Sequence, residues 1–184
     1  MHARDDLALR FADLAALEAH LRAMAEAPGE APGLSELDHA LQCAAELKQA
    51  WPDDVELQVA GLVHDVGHAR GHVHHRAGAA AVRPILGERV AQLVYLHVDA
   101  KRYLVTTDQA YRARLSPVSV HTLALQGGDM DEGEIAAFEA QAHWRDGLKL
   151  RAADEAAKTP GREVPGLEVW LPALRAVASG SDRA

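Results

Sequence analysis

Cysteine is nearly absent: Cys43 is the one thiol in 184 residues. A single cysteine excludes an intramolecular disulfide framework and a cysteine-based zinc site. It fits a reducing compartment, and a cytoplasmic location is expected. Positive charge is also in deficit: 19 Lys and Arg against 27 Asp and Glu leave a formal charge of −8. Nucleic acid is therefore not an expected partner, since its binders carry a basic face. A local basic pocket for a small anion remains compatible with this balance. No stretch approaches the ~20 consecutive apolar residues of a membrane span, so no membrane partner is expected. The start, Met1-His2-Ala3-Arg4-Asp5-Asp6, lacks an apolar run behind a basic segment, which argues against a secretory signal. Sustained alternation of β-branched residues is missing, so strands are not expected. There is no internal repeat.

What is present is a globular composition, 48% apolar and 25% charged. These values are near average usage and exclude extended disorder. The length suits one domain, read here as residues 1–184. At this size roughly 70% of the unfolded surface can be buried.

Periodic apolar residues predict helices. Residues 5–27 place Leu7, Phe11, Leu14, Leu17, Leu21 and Met24 on one face, with Asp5 or Asp6 as cap. Pro28 to Gly33 is a break. A second helix starts at Ser35, with Asp38 completing a capping-box variant, and ends at Trp51-Pro52. A third is capped by Asp53 or Asp54 and runs to His64-Asp65. Gly67 to Gly78 reads as a loop or helix end. Further helices are expected over 79–86 despite Pro84, and over 88–104, 108–115, 117–126, 132–142, 144–158 and 166–179, with a loop over 159–166. The fold class is all-α, a bundle of packed helices.

Histidine is abundant. Six of the 11 histidines lie between His39 and His75, and five of those in His64–His75. They are internal and spaced, unlike a purification tag. Histidine is the commonest metal ligand, so a metal site is the leading expectation. His64-Asp65 ends an apolar run, where two polar groups must be paired or bind metal. The dipeptide alone fits a hydrogen-bonded helix cap equally well. His39, His74, His97 and Asp154 on neighbouring helices tip the balance toward metal. The other histidines carry no such argument. His2 and His20 read as surface residues, His72 and His75 as loop residues that are alternatives to His74, and His121 and His143 as bystanders. Trp51, Trp144 and Trp170 read as core, and Cys43 as a small buried apolar residue.

The pattern His39…His64-Asp65…Asp154 resembles the HD-domain superfamily of metal-dependent phosphohydrolases. His74 and His97 resemble the additions of its two-metal members. The closest resemblance is to the PhnZ-like HD-domain oxygenases, which cleave the carbon–phosphorus bond of 1-hydroxyalkylphosphonates with a mixed-valent Fe(II)/Fe(III) pair and O2. It is carried by Leu37-Asp38-His39-Ala40-Leu41-Gln42, Leu62-Val63-His64-Asp65-Val66-Gly67-His68, His97-Val98-Asp99-Ala100-Lys101-Arg102-Tyr103-Leu104 and Leu123-Ala124-Leu125-Gln126-Gly127-Gly128. The resemblance implies an HD-type helical bundle with the metal site in its core and a motif-bearing segment of about 35–158. It implies that His39, His64, Asp65 and Asp154 hold one iron. Asp65 then bridges to a second iron on His74 and His97, and His64 and Asp65 stand at the catalytic centre. His74 is preferred to His75 because the family places this ligand four residues before a glycine, here Gly78. Nitrogen and carboxylate ligands suit iron without selecting it. The implied substrate is a small phosphonate gripped by His68, Lys101, Ser119 and Arg151, with O2 as co-substrate and phosphate and a carboxylic acid as products.

The spacing gives independent support. His68 is i+4 from His64, Lys101 is i+4 from His97, and Arg151 is i−3 from Asp154, so each ligand has a cationic or hydrogen-bonding neighbour. Arginine suits a bidentate phosphonate contact, and lysine acts as a point charge.

One departure concerns the substrate. Some members of this branch carry a tyrosine over the open iron and a glutamate for a substrate amine before the first histidine. Residues 27–33 hold no tyrosine, and Glu30 is the candidate for the glutamate. Tyr95, Tyr103 and Tyr111 are the remaining tyrosines. The departure disfavours an aminoalkyl substrate and favours hydroxymethylphosphonate or a quaternary-amine analogue. Two rival readings use the same residues. One is a metal-dependent phosphohydrolase acting on a phosphomonoester or nucleotide. The other is a non-catalytic module for a phosphorylated ligand, disfavoured by the complete ligand set.

Overall fold

The computed structural model describes residues 9–29 and 31–181. Among the described residues there are nine α-helices and no strand, with one isolated bridge between Pro28 and Ser35. The helix expected over 5–27 is shorter: α1 is Leu14–Ala23, continued by a 3-10 turn, Met24–Glu26. Its cap is Asp13, whose carboxylate accepts from the Ala16 N–H at 2.8 Å. That bond fixes the helix start. Leu9 and Phe11 lie ahead of it and pack on the core outside any helix. The proposed caps Asp5 and Asp6 lie outside the described residues.

Helix α2, Glu36–Ala50, opens on the expected capping box between Ser35 and Asp38. Helix α3, Val55–Val63, is capped by Asp54, with His64 as its last half-helical residue. A 3-10 turn, His68–Val73, leads into α4, His74–Thr107. The segment read as a loop or helix end, Gly67 to Gly78, is thus a 3-10 turn and then helical from His74. Pro84 is absorbed into α4. The break falls at Gly87, between the two expected helices, where φ of 83° and ψ of 176° turn the chain between two helical halves. Five more helices follow: α5 Gln109–Arg114, α6 Pro117–Leu125, α7 Glu132–Glu139, α8 Trp144–Ala156 and α9 Leu167–Ser181.

One apolar core joins α1, α2, α3, α4, α8 and α9. Each contributes a leucine with no exposed surface: Leu21, Leu47, Leu62, Leu93, Leu150 and Leu174. Burying such a side chain is worth about 1.5–3 kcal/mol. Glycine at position 61 lets α3 press onto α2, because a Cβ there would stand 2.5 Å from Leu47 Cδ1. That close approach carries the polar ends of α2 and α3 toward each other inside the core.

Candidate metal centre

Five elements deliver polar side chains to one buried point. Helix α2 brings His39, the end of α3 brings His64 and Asp65, the two halves of α4 bring His74 and His97, and α8 brings Asp154. All but His74, which is partly covered, are buried. Gly67 makes the second part of this arrangement possible. A Cβ at that position would stand 2.3 Å from the His74 carbonyl oxygen and 2.9 Å from the Gly78 nitrogen. The chain after Asp65 passes directly against the first turn of α4, and only glycine leaves that space.

Each imidazole is oriented by the same device. The Nδ1 atoms of His39, His64 and His74 each lie 2.8 Å from a backbone carbonyl, of Ala157, Gly61 and Gly71 respectively. His97 Nδ1 lies 2.6 Å from the Val94 carbonyl. A carbonyl only accepts, so each Nδ1 carries the hydrogen and each Nε2 presents a bare lone pair. These lone pairs then meet in twos: His39 and His64 Nε2 are 3.2 Å apart, and His74 and His97 Nε2 are 3.0 Å apart. Two facing lone pairs repel unless a cation lies between them.

Asp65 sits between the pairs and divides its oxygens. Oδ2 lies 3.4 Å from His64 Nε2 and 3.7 Å from His39 Nε2. Oδ1 lies 3.4 Å from His74 Nε2 and 3.7 Å from His97 Nε2. Asp154 Oδ1 joins the first group, 3.3 Å from His39 Nε2. Ligands about 2.1 Å from a shared ion, at ordinary coordination angles, stand ~3.0–3.8 Å from one another. His39, His64 and Asp154 form one such group, and Asp65, His74 and His97 form a second. Asp65 Oδ1 is buried with no hydrogen-bond partner, as an oxygen placed to meet an ion would be. The donor set fits two borderline metal ions bridged by a carboxylate.

The electrostatics agree. Burial opposes charge on Asp65, yet His64, His68, His74 and His97 hold its carboxyl well below the usual range. Burial likewise opposes charge on Asp154, and Arg151, His39 and Lys158 overcome it. Burial and the neighbouring His74 push His97 well down, which keeps it a neutral ligand. His39 goes the other way. Burial resists its protonation, but the hydrogen bond and charge of Asp154, with Asp65, push it up to about 9. In metal-free protein a proton on His39 stands where the two carboxylates attract a cation.

A cavity of about 160 Å³ opens beside these groups. Lys101 and Arg151 bring positive charge to its wall, and both are buried. Lys101 Nζ donates to Thr122 Oγ1 at 2.9 Å. His68 lines the same cavity but lies beyond the end of α3. It faces Asp65 Oδ2 through Nδ1 at 3.8 Å, and Glu36 through Nε2 at 3.8 Å.

The HD-domain family model matches residues 16–139 of the chain. The chain belongs to the HD-domain family. Two of its relatives have named activities. It is 36% identical over 150 residues to the hydroxymethylphosphonate dioxygenase of Gimesia maris, covering 74% of each chain. It is 35% identical over 150 residues to the [1-hydroxy-2-(trimethylamino)ethyl]phosphonate dioxygenase (glycine-betaine-forming) of Leisingera caerulea, covering 75% of this chain and 76% of the relative.

Not every sequence-derived residue of this HD-domain protein reaches the cavity wall. Ser119 is buried behind it. Its Oγ donates to Glu155 Oε2 at 3.0 Å and accepts from Lys158 Nζ at 2.8 Å. Arg151 lines the cavity, but each of its three nitrogens already donates to a protein oxygen. Nε donates to the Tyr111 hydroxyl at 2.6 Å, Nη1 to Asp154 and Nη2 to Glu155. Its first effect is to fix the Asp154 carboxylate. Glu30 and His2 lie outside the described residues, as does the side chain of His72. His75 is buried, its ring tilted against Tyr95 with centroids 5.7 Å apart, in a helix rather than a loop. His20, read as a surface residue, is half-buried, with Nε2 3.0 Å from the Val66 carbonyl. Trp170 is buried as expected, whereas Trp51 and Trp144 are half-buried. Among the described residues no tyrosine lines the cavity. The sequence did not single out Glu155, Thr122 or Glu36, and it held Gln126 within a motif without giving it a role. Glu155 carried a signal, since it stands i+4 from Arg151 on one helix face.

Proposed function

We propose that this protein is an iron- and O2-dependent oxygenase that cleaves the carbon–phosphorus bond of a small 1-hydroxyalkylphosphonate. The observation that carries the reading is the pairing of four bare Nε2 atoms across the two oxygens of Asp65, beside a cavity bearing Lys101 and Arg151. Both named relatives are phosphonate dioxygenases, which supports O2 chemistry over hydrolysis. The reaction balances without a reductant: R–CH(OH)–PO3H2 and O2 give R–COOH and H3PO4, with the four electrons of substrate oxidation taken by O2.

His39, His64 and Asp154 would hold one ion, His74 and His97 the other, with Asp65 shared between them. Two irons bound there would supply O2 activation and the electron transfer to it. The chain supplies position and charge. Lys101 and His68 attract the phosphonate, and Arg151 keeps Asp154 ionised and aimed at the metal. Val98 and Leu125 give the cavity an apolar lining that limits water around the reacting carbon. A cavity of about 160 Å³ is in the range that holds a benzene-sized molecule, which suits a small phosphonate better than a nucleotide.

The test is phosphate release by Fe(II)-loaded protein from 1-hydroxyalkylphosphonates and from a generic phosphomonoester, with and without O2. Phosphate from a hydroxyphosphonate only when O2 is present supports the reading. O2-independent phosphate from the ester alone contradicts it and makes the protein a phosphohydrolase.

A further inference from the structure

The cavity holds a polar group that the reaction has not yet used. Gln126 lines it, directly after the last residue of α6. Its amide oxygen is buried and has no hydrogen-bond partner. An unmade bond at a buried acceptor is unfavourable, and such exceptions gather at functional sites.

The position of Gln126 is fixed from behind. Its backbone N–H donates to the carbonyls of Thr122 and Leu123 at 3.0 and 3.1 Å. The next residue, Gly127, has φ 110°, and a Cβ there would stand 3.2 Å from the Arg102 guanidinium. Arg102 Nε donates to the Gly128 carbonyl at 3.0 Å, and its Nη2 donates to Glu134 at 2.7 Å. Arg102 thus clamps the turn that ends α6, and that turn sets where the amide oxygen points.

The chemistry of the walls limits what can meet that oxygen. Asp65 and Asp154 are the carboxylates among the described lining residues, and both belong to the metal groups. Among the described residues an ammonium on the substrate would find no carboxylate of its own at the wall, and it would share the cavity with Lys101, an unfavourable burial. A hydroxyl needs only an acceptor, and Gln126 offers one.

We propose that Gln126 is a specificity-determining residue that accepts a hydrogen bond from a neutral hydroxyl on the carbon next to the reacting one. The ligand class is a 1,2-dihydroxyalkylphosphonate. The inference rests on the phosphonate reading above.

The test is calorimetric binding of 1,2-dihydroxyethylphosphonate and hydroxymethylphosphonate to iron-loaded protein without O2, for wild type, Gln126→Leu and Gln126→Glu. Wild type is expected to prefer the diol by about tenfold, the value of one hydrogen bond to a buried acceptor. Q126L, which cannot accept, is expected to lose most of that preference, while Q126E, which can, keeps it. Equal affinities in wild type, an unchanged preference in Q126L, or its loss in both variants would overturn the proposal. Binding is read without turnover, so this outcome is separate from the O2 test of the reaction.

Discussion

The Nε2 atoms of His74 and His97 face each other across 3.0 Å, while each ring's Nδ1 is committed to a carbonyl three residues upstream. Two neutral imidazoles so arranged present lone pair to lone pair. The same geometry recurs for His39 and His64, with Asp65 shared between the pairs. In the proposed reading each pair holds one ion, and the two ions are not equally dependent on each residue. His97→Ala is expected to leave about one tightly bound iron per chain, and Asp65→Ala to weaken both sites. Both variants should retain less than ~1% of activity. Metal analysis after gel filtration checks this. Two full equivalents in D65A would contradict a shared carboxylate.

Arg151 acts through Asp154. Arg151→Lys keeps the charge but cannot donate to Tyr111, Asp154 and Glu155 together. Outer partners of metal ligands typically matter by about 10–100-fold in metal affinity, and R151K should fall in that range at the site of His39, His64 and Asp154. Tyr111→Phe removes one acceptor from the same guanidinium and should cost less. Burial pushes the Tyr111 phenol up, so the lost partner is a neutral hydroxyl. Competition with a chromophoric chelator measures both.

Lys101 should act on substrate and not on metal. Its ammonium is buried at the cavity wall, and a charge-assisted contact to an anion is worth about 1.5–3 kcal/mol. Lys101→Ala is therefore expected to lower kcat/KM by about 10–100-fold, chiefly through KM, with two irons still bound. Steady-state phosphate release with parallel metal analysis separates the two effects.

The pH dependence of the metal-free protein follows from His39. Its folded value, about 9, lies above its ordinary 6.5. A raised folded value contributes stability that is complete below about 6.5 and is lost as pH rises through about 9. Chelated protein should therefore lose melting temperature between pH 6.5 and 9 more steeply than the iron-loaded form, in which metal replaces the proton. His39→Gln should flatten that slope. A slope that is the same with and without metal would count against the assignment.

Gly67→Ala should damage the site more than the fold. The added methyl meets the backbone at His74 and Gly78, not a flexible side chain. A loss of about 1–3 kcal/mol, typical of overpacking, should come with loss of the ion held by His74 and His97. Chemical denaturation and metal content measure the two.

Much of this was legible because it is local. Ser35 with Asp38, and Asp54, mark the starts of α2 and α3 in sequence and in space. The break within α4 was legible too, since the expected helices over 79–86 and 88–104 part at Gly87, the one α4 residue with a positive φ. His39, His64, Asp65 and His97 stood out because each sits beside apolar residues, where an unpaired polar group is costly, whereas His74 and Asp154 were placed by the family resemblance. The misses have physical causes. The α1 cap was placed at Asp5 or Asp6 because the apolar spacing begins at Leu7, but Asp13 makes the capping bond. Tyr111 reaches Arg151 from 40 residues away, a distance no helical spacing reveals. Gln126 stood in a motif with no role, because nothing local shows that its side chain lines the cavity with a buried, unpartnered oxygen. Ser119 lies behind the cavity wall, where its hydroxyl meets Glu155 and Lys158, partners 36 and 39 residues away that no local spacing reveals.

The central claim is that O2 is a stoichiometric reactant in breaking the carbon–phosphorus bond. The direct measurement is simultaneous recording of O2 uptake and phosphate release by Fe(II)-loaded protein turning over a 1-hydroxyalkylphosphonate, with no added reductant. The account predicts one O2 consumed for each phosphate released, and one carboxylic acid formed. Phosphate appearing without O2 uptake would contradict it.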